Sequence, residues 1–129
     1  MRLLLDTHAF LLAAADPDQL NPRARGAIED TANDIFVSAG VAWEIIVKAA
    51  LGKLGLPADP ALWFPARVRS LGFQPLDITT AHALAVGGLP NIHRDPFDRI
   101  MLAQAQIEGL TFVTRDSENK KYPVHVLEA

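Results

Sequence analysis

The chain has 129 residues, a formal net charge of −3 at pH 7 and no cysteine. A chain of this length is predicted to form one domain, because it can bury roughly two thirds of the surface that its unfolded form exposes. The lack of cysteine excludes disulfides, thiolate zinc sites and cysteine nucleophiles. The negative charge excludes a broadly basic nucleic-acid-binding surface, so any phosphate binding must be local.

The N-terminal run MRLLLDTHAFLLAAAD is apolar, but it does not have the pattern of a signal peptide or a membrane span. Asp6 and His8 interrupt it, and an Asp-Pro pair ends it. The run instead predicts a strand over Arg2–Leu5 and a helix over Thr7–Ala15. With no signal for secretion, we expect a cytoplasmic protein.

Short apolar strands and helices alternate along the rest of the chain. Strands are predicted at Ile35–Ser38, Phe73–Ile78, Leu110–Thr114 and Val124–Leu127, and helices at Pro22–Thr31, Ala39–Leu51, Pro60–Leu71, Thr79–Val86 and Pro96–Glu108. The helix over Pro60–Leu71 has the weakest support, because Pro65 lies inside it. This alternation predicts an α/β fold, a three-layer α/β/α sandwich with a mostly parallel central sheet of about five strands.

Acidic residues stand where such a sheet would form a site. Ligands of parallel α/β sheets bind outside the carboxyl ends of the strands. Asp6 directly follows the first strand, and Asp116 follows the strand that ends at Thr114. Glu44 interrupts an otherwise apolar helix, which is a costly place for an unpaired carboxylate.

The stretch HRDPFDRIMLAQAQIEG, His93 to Gly109, carries two further acids at the start of an apolar helix. Asp95 precedes a proline, and this pair predicts that Asp95 caps the helix. Asp98, three residues later, has two interpretations: it either supports the same cap or binds a metal ion.

Each of the other acids also has an ordinary structural interpretation. Asp6 and Asp116 would suit turns at strand ends, and Glu44 would suit an i,i+4 pair with Lys48. If the acids converge, like charges about 4 Å apart repel by roughly 4 kcal/mol per pair at an effective dielectric near 20, so the cluster needs a cation or bound protons. A thiol-free set of carboxylates favours Mg²⁺ or Mn²⁺ over zinc.

Four blocks of the sequence resemble the PIN-domain ribonucleases and, among them, the VapC-type toxins of bacterial toxin–antitoxin pairs. The blocks are LLLDTHAFL, VSAGVAWEIIVKAALGKLGL, LPNIHRDPFDRIMLAQA and LTFVTRDSENKKYPVHVLEA. A single Asp-Thr pair would be a weak match, whereas four blocks in this order and spacing extend over the whole chain and form a specific signature.

The resemblance implies a catalytic and metal-binding quartet of Asp6, Glu44, Asp98 and Asp116, of which Asp6 and Asp98 would bind the metal directly. The last position stays open, because Ser117, Glu118 and Asn119 are close enough to compete with Asp116. The residues implied in supporting roles are the hydroxyl residues Thr7 and Thr114 and the phosphate-binding candidates Arg94, Arg99, Arg115 and Lys48. Arg99 has an equal alternative, an ion pair with Asp95. His8 and His93 flank presumed site residues and are further candidates for support.

The activity implied by the resemblance is that of an Mg²⁺- or Mn²⁺-dependent endoribonuclease that acts as a toxin. The implied partners are RNA, a second copy of the chain in a homodimer, and a VapB-type antitoxin that covers the site; no membrane is implied. The residues that we expect to line the antitoxin groove are Trp43, Ile46, Leu54 and Leu56.

Two alternatives remain at this point. A housekeeping nuclease would keep the fold and the site without the toxin role. A receiver-type phosphoacceptor module would share the α/β/α fold, but it requires an acidic pair after the first strand. Here the first strand is followed by a single acid, Asp6, and then by Thr7 and His8.

Overall fold

The computed structural model describes all residues, 1–129. Its sheet has five parallel strands in the order β3-β2-β1-β4-β5. The strands are β1 (Arg2–Leu5), β2 (Asp34–Ser38), β3 (Gln74–Leu76), β4 (Thr111–Thr114) and β5 (Val126–Glu128), and the helices are α1 (Thr7–Ala15), α2 (Pro22–Glu29), α3 (Ala39–Ala50), α4 (Pro60–Ser70), α5 (Thr80–Ala85) and α6 (Pro96–Glu108). This arrangement confirms the predicted α/β/α sandwich.

Every helix begins at a side chain that accepts a hydrogen bond from a backbone N–H of its first turn, which is how local sequence sets the helix starts. The capping residues are Asp6, Asn21, Ser38, Asp59, Thr79 and Asp95. Three helices also have proline at their first position, where its missing N–H costs nothing.

The helix α4 continues through Pro65, which is exposed. Its aromatic residues explain why it persists, because Trp63 and Phe64 pack against Phe10 of α1 with ring centroids 6.1 and 5.2 Å apart. Packing of these half-buried rings against the core compensates for the single backbone hydrogen bond that a proline removes from a helix.

Both edge strands have three residues, and both differ from the sequence-based bounds. β3 is shorter than the predicted Phe73–Ile78, and β5 begins two residues after the predicted Val124. An edge strand has a neighbour on one side alone, so its length follows the ladder of that neighbour more than its own apolar pattern.

The strand order excludes the receiver alternative, whose sheet has the order β2-β1-β3-β4-β5. Here β1 lies between β2 and β4. The chain therefore reverses direction across the sheet between β1 and β4, and loops after these two strands diverge to leave a crevice.

The core lies on both sides of β1, whose Leu3, Leu4 and Leu5 are fully buried. Phe10 of α1, Ile45 of α3 and the apolar face of α6 pack against the sheet. None of the helices is both long enough and apolar enough to cross a membrane.

Candidate active site

The four predicted acids lie around one cavity of about 370 Å³ at the carboxyl edge of the sheet. The lining residues already singled out in the sequence are Asp6, Thr7, His8, Glu44, Lys48, Leu54, Asp95, Asp98, Arg115 and Asp116. A larger cavity of about 610 Å³ lies at the opposite edge of the sheet, away from these acids. The crevice between β1 and β4 is thus where the acids converge.

Asp6 lies at the junction of β1 and α1 and is buried, with 5% exposure. Its Oδ1 accepts a hydrogen bond of 2.7 Å from the backbone N–H of Ala9, so the same carboxylate caps the helix and lines the cavity. Burial raises the pKa of Asp6, while hydrogen bonds from Thr114 and Ala9 oppose that rise.

Glu44 lies in α3 and is buried, with 4% exposure. The Thr7 hydroxyl donates to its Oε1 at 2.5 Å, and the Lys48 ammonium contacts its Oε2. Glu44 therefore pairs with Lys48, its i,i+4 neighbour, and also lines the cavity. The structural and the site interpretation of Glu44 are compatible. The hydrogen bond to Glu44 raises the pKa of Lys48.

Asp98 lies one turn inside α6, while Asp95 caps the helix as predicted. The Oδ1 of Asp95 accepts from the backbone N–H of Phe97 at 2.9 Å. Burial, followed by the negative charges of Asp95 and Asp6, raises the pKa of Asp98 to about 7. Burial and the neighbouring acids therefore disfavour the ionised form of Asp98.

Asp116 follows β4 and is less buried than the other three acids. Its Oδ1 accepts from the backbone N–H of Glu118 at 2.9 Å, which begins a short 3₁₀ turn over Ser117–Lys121. Its Oδ2 lies 2.7 Å from Nε2 of His93. The same nitrogen lies 3.1 Å from Oδ2 of Asp98.

Thr114 and Asn119 connect Asp116 and Asp98 through hydrogen bonds. The hydroxyl of Thr114 accepts from the backbone N–H of Asp116 at 3.1 Å and from the amide of Asn119 at 3.0 Å. The same Asn119 amide lies 3.4 Å from Oδ2 of Asp98. Asn119 is fully buried, and its Oδ1 has no hydrogen-bond partner.

The arginines divide into different environments. Arg99 does not line the cavity and does not pair with Asp95: its guanidinium donates to the backbone oxygens of Pro90 at 2.9 Å and Val86 at 3.2 Å. Arg115 lines the cavity while donating to the backbone oxygen of Ala129 at 3.2 Å. Arg94 is exposed.

Two residues, His93 and Asn119, contact the acids in a way that the sequence does not predict. His93 is one of the two flanking histidines of the sequence analysis, and Asn119 is a competitor for the last acid; neither is predicted to contact an acid from a distant part of the chain. The Asp-Pro cap and the strand-end acid are local signals, whereas these contacts join residues more than 20 positions apart.

Comparison with protein families decides the assignment of the chain. Residues 3–124 match the model of the PIN domain. The chain belongs to the PIN-domain family.

Two relatives of this PIN domain are ribonucleases of Mycobacterium tuberculosis. Ribonuclease VapC22 is 31% identical over 118 residues, which cover 88% of this chain and 86% of that protein. Ribonuclease VapC16 is 41% identical over 58 residues, and this match spans 45% of the chain and less than half, 41%, of that protein. A solved structure of VapBC2 from Rickettsia felis, bound to a promoter DNA fragment, has a chain that superposes with a TM-score of 0.74 at 17% identity, covering 100% of this chain and 99% of that one.

The donor atoms of this PIN domain fit a divalent cation. Carboxylate oxygens of Asp98 and Asp116, with a ring nitrogen of His93 beside them, lie within 4.8 Å of one another, so two acids from different elements could share an ion. Five carboxylates and three Lys or Arg side chains line the cavity, an excess of two negative charges when all are ionised. Lys48 pairs with Glu44. Burial raises the pKa values of Asp6 and Asp98, so a cation bound beside them would offset the cost of ionising these carboxylates. An oxygen-rich set of this kind matches Mg²⁺ or Mn²⁺ better than softer ions.

Proposed function

We propose that this PIN domain is a metal-dependent endoribonuclease that hydrolyses RNA phosphodiester bonds as the toxin of a VapBC-type toxin–antitoxin pair. The observation that carries the proposal is the convergence of Asp6, Glu44, Asp98 and Asp116 on one cavity at the reversal point of the sheet. The similarity to ribonuclease VapC22 over most of both chains supports RNA as the substrate.

Asp6 and Asp98 would bind Mg²⁺ or Mn²⁺ directly, with Glu44 and Asp116 completing the set. When bound, such an ion lowers the pKa of water and neutralises charge that develops on the phosphate. Asp6 and Asp98 are rigidly placed for this role, because one caps α1 and the other lies within the first turn of α6.

The remaining side chains orient the substrate and the attacking water. Glu44 is fixed by Thr7 and Lys48, and Asp116 by the backbone of Glu118, so both carboxylates are held as acceptors beside the cavity. In-line attack of water on RNA would leave a 5′-phosphate and a 3′-hydroxyl. Arg115 and Lys48, which line the cavity, and the exposed Arg94 would place positive charge near the backbone phosphates.

The proposed partners are a VapB-type antitoxin and a second copy of the chain, and the proposed location is the cytoplasm. Trp43 and Ile46 are 54% and 47% exposed on α3, and Trp43 packs edge-to-face on Phe97 with centroids 4.7 Å apart. Leu54 and Leu56 line an apolar groove of about 340 Å³ beside α1. These four apolar side chains are our candidates for the antitoxin contact.

Induced expression in a bacterial host tests the activity. Asp6→Asn is the informative variant, because asparagine is as good a helix cap as aspartate and removes the charge alone. We expect the wild-type chain to arrest growth and to generate new RNA ends with 5′-phosphates, and Asp6→Asn to do neither. Asp34→Asn, at an exposed aspartate of β2, is the matched control and should behave as the wild type. Arrest by Asp6→Asn would contradict the proposal.

Co-expression separates a toxin from a housekeeping nuclease. If the chain is a toxin, the product of a small adjacent gene should bind it and restore growth. Cleavage of RNA without growth arrest, and without such a binding product, would favour the housekeeping alternative.

A further inference from the structure

The loop that carries His93 is braced from two sides. Arg99 donates to the backbone oxygens of Val86, Pro90 and His93, at 3.2, 2.9 and 3.4 Å. The hydroxyl of Tyr122 accepts from the backbone N–H of His93 at 2.6 Å and from Arg99 at 3.3 Å. These contacts hold the backbone of His93 in place next to the acids, so the position of its ring does not depend on the acids alone.

The hydrogen bonds of the ring also determine its tautomer. The backbone N–H of Asp95 donates to Nδ1 of His93 at 3.3 Å, so Nδ1 carries a lone pair. A neutral ring with a lone pair on Nδ1 carries its proton on Nε2. That N–H donates to Oδ2 of Asp116 at 2.7 Å, and Oδ2 of Asp98 lies 3.1 Å from the same nitrogen.

We propose that His93 is a positioning residue: its Nε2–H donates to Asp116 of the loop after β4, lies next to Asp98 of α6, and keeps these two carboxylates together at the site of a divalent ion. The inference rests on the proposed function, because it assigns His93 a role in the same metal site. It extends the site beyond the four acids and gives Arg99 and Tyr122 a purpose, which is to fix the loop that carries the ring.

The same tautomer argues against His93 as a direct metal ligand. Coordination through Nε2 requires the lone pair on that nitrogen and moves the proton to Nδ1. The proton on Nδ1 would then face the backbone N–H of Asp95, donor against donor. In this arrangement His93 donates to Asp116, and the carboxylates would bind the ion.

Ion affinity and tautomer can be measured separately. The variants are His93→Ala, which removes the N–H, and His93→Gln, whose amide N–H lies about as far from the backbone as Nε2. His125→Ala is the control, because His125 is exposed and does not line the cavity. Calorimetric titration with Mg²⁺ gives the affinity, and two-bond ¹⁵N–¹H correlation spectra of the metal-free wild-type protein give the tautomer without any variant.

We expect His93→Ala to weaken Mg²⁺ binding by about 10- to 100-fold, the effect typical of residues that orient metal ligands. His93→Gln should recover most of the affinity, His125→Ala should bind as the wild type, and the spectra should show the Nε2–H form. Unchanged Mg²⁺ affinity in His93→Ala, or an Nδ1–H form in a protein that binds Mg²⁺, would overturn this inference but not the proposed function. A wild-type protein that binds neither Mg²⁺ nor Mn²⁺ would overturn the proposed function, and the inference with it.

Discussion

At the scale of single residues, the site is held together by hydroxyl and amide groups beneath its carboxylates. Thr114 is the clearest example, because its hydroxyl accepts from the backbone N–H of Asp116 and from the amide of Asn119, and the same amide contacts Asp98. One buried side chain therefore connects, through Asn119, the acid that follows β4 with the acid of α6. The hydroxyl lies where water cannot replace it, since Thr114 has no exposed surface.

Replacement of Thr114 by valine tests this connection with little change in shape. Thr114→Val leaves the donors of Asp116 and Asn119 without an acceptor, and we expect a loss of about 1–3 kcal/mol in the free energy of unfolding. Thr114→Ser keeps the hydroxyl and should lose less. Urea unfolding monitored by circular dichroism measures both, and equal stability of the valine variant and the wild type would count against the role of the hydroxyl.

At the scale of elements, α6 separates a capping task from a chemical one. Asp95 and Pro96 begin the helix, and Gly109 ends it in a left-handed conformation with φ of 66°. Because both ends are fixed, the direction of α6 is fixed, and Asp98 is held one turn inside the helix beside the cavity. Asp95 and Asp98 are only three residues apart, yet they have different roles: Asp95 caps the helix, and Asp98 lines the cavity.

The glycine that ends α6 gives a prediction about stability, and a glycine inside α2 provides a control for which the opposite effect is expected. Gly109→Ala places a side chain at a positive φ and should cost about 1 kcal/mol of unfolding free energy. Gly26→Ala, inside α2 where an added Cβ meets nothing within 4 Å, should stabilise the protein by up to about 1 kcal/mol. Thermal unfolding of the two variants in parallel provides the comparison; a stable Gly109→Ala variant would show that the end of α6 is not constrained.

Helix starts could be predicted from the sequence because their signals are local. Asp95 before Pro96 and Thr79 before α5 need no knowledge of the fold. The edge-strand bounds could not be predicted, since β3 and β5 depend on the ladders of their neighbours. The environment of Arg99 could not be predicted either, because its guanidinium donates to backbone oxygens of a loop whose path is set by tertiary packing.

At the scale of the whole molecule, topology converts scattered acids into a site. Asp6 and Asp116 are 110 positions apart in the chain, yet β1 and β4 pair side by side. The acids that follow these strands therefore meet at one edge, and α3 and α6 bring Glu44 and Asp98 to the same cavity. The sequence predicted which edge would carry the acids, because parallel strands share a carboxyl edge, but the convergence itself needed the strand order.

The collected charge makes the stability of the metal-free protein depend on pH. The pKa of Asp98 is raised from 3.8 to about 7 by burial and by neighbouring acids, so the folded state binds more protons than the unfolded state between these values. The free energy of unfolding should therefore fall as pH rises from about 4 to about 7 and level off above that for this group. Burial of Asp6 acts in the same direction.

Unfolding in denaturant with a chelator, at pH 5 and at pH 8, measures this dependence. Asp98→Asn should reduce the difference between the two pH values, because the titrating group is gone. Added Mg²⁺ should raise the melting temperature more at pH 8 than at pH 5, since protons compete with the ion for the carboxylates. A wild-type protein that becomes more stable between pH 5 and pH 8 would contradict the electrostatic description of the cavity.

Cleavage of RNA by purified wild-type, Asp98→Asn and Asp95→Asn proteins, with Mn²⁺ and with a chelator, tests the central claim most directly. Asparagine preserves the cap at position 95, so Asp95→Asn controls for loss of a nearby negative charge. We expect cleavage by the wild type in Mn²⁺ alone, cleavage within a few-fold of it by Asp95→Asn, and at least about 100-fold less by a folded Asp98→Asn. Equal cleavage by Asp98→Asn, or cleavage that persists in the chelator, would contradict an acid-held metal site as the source of the activity.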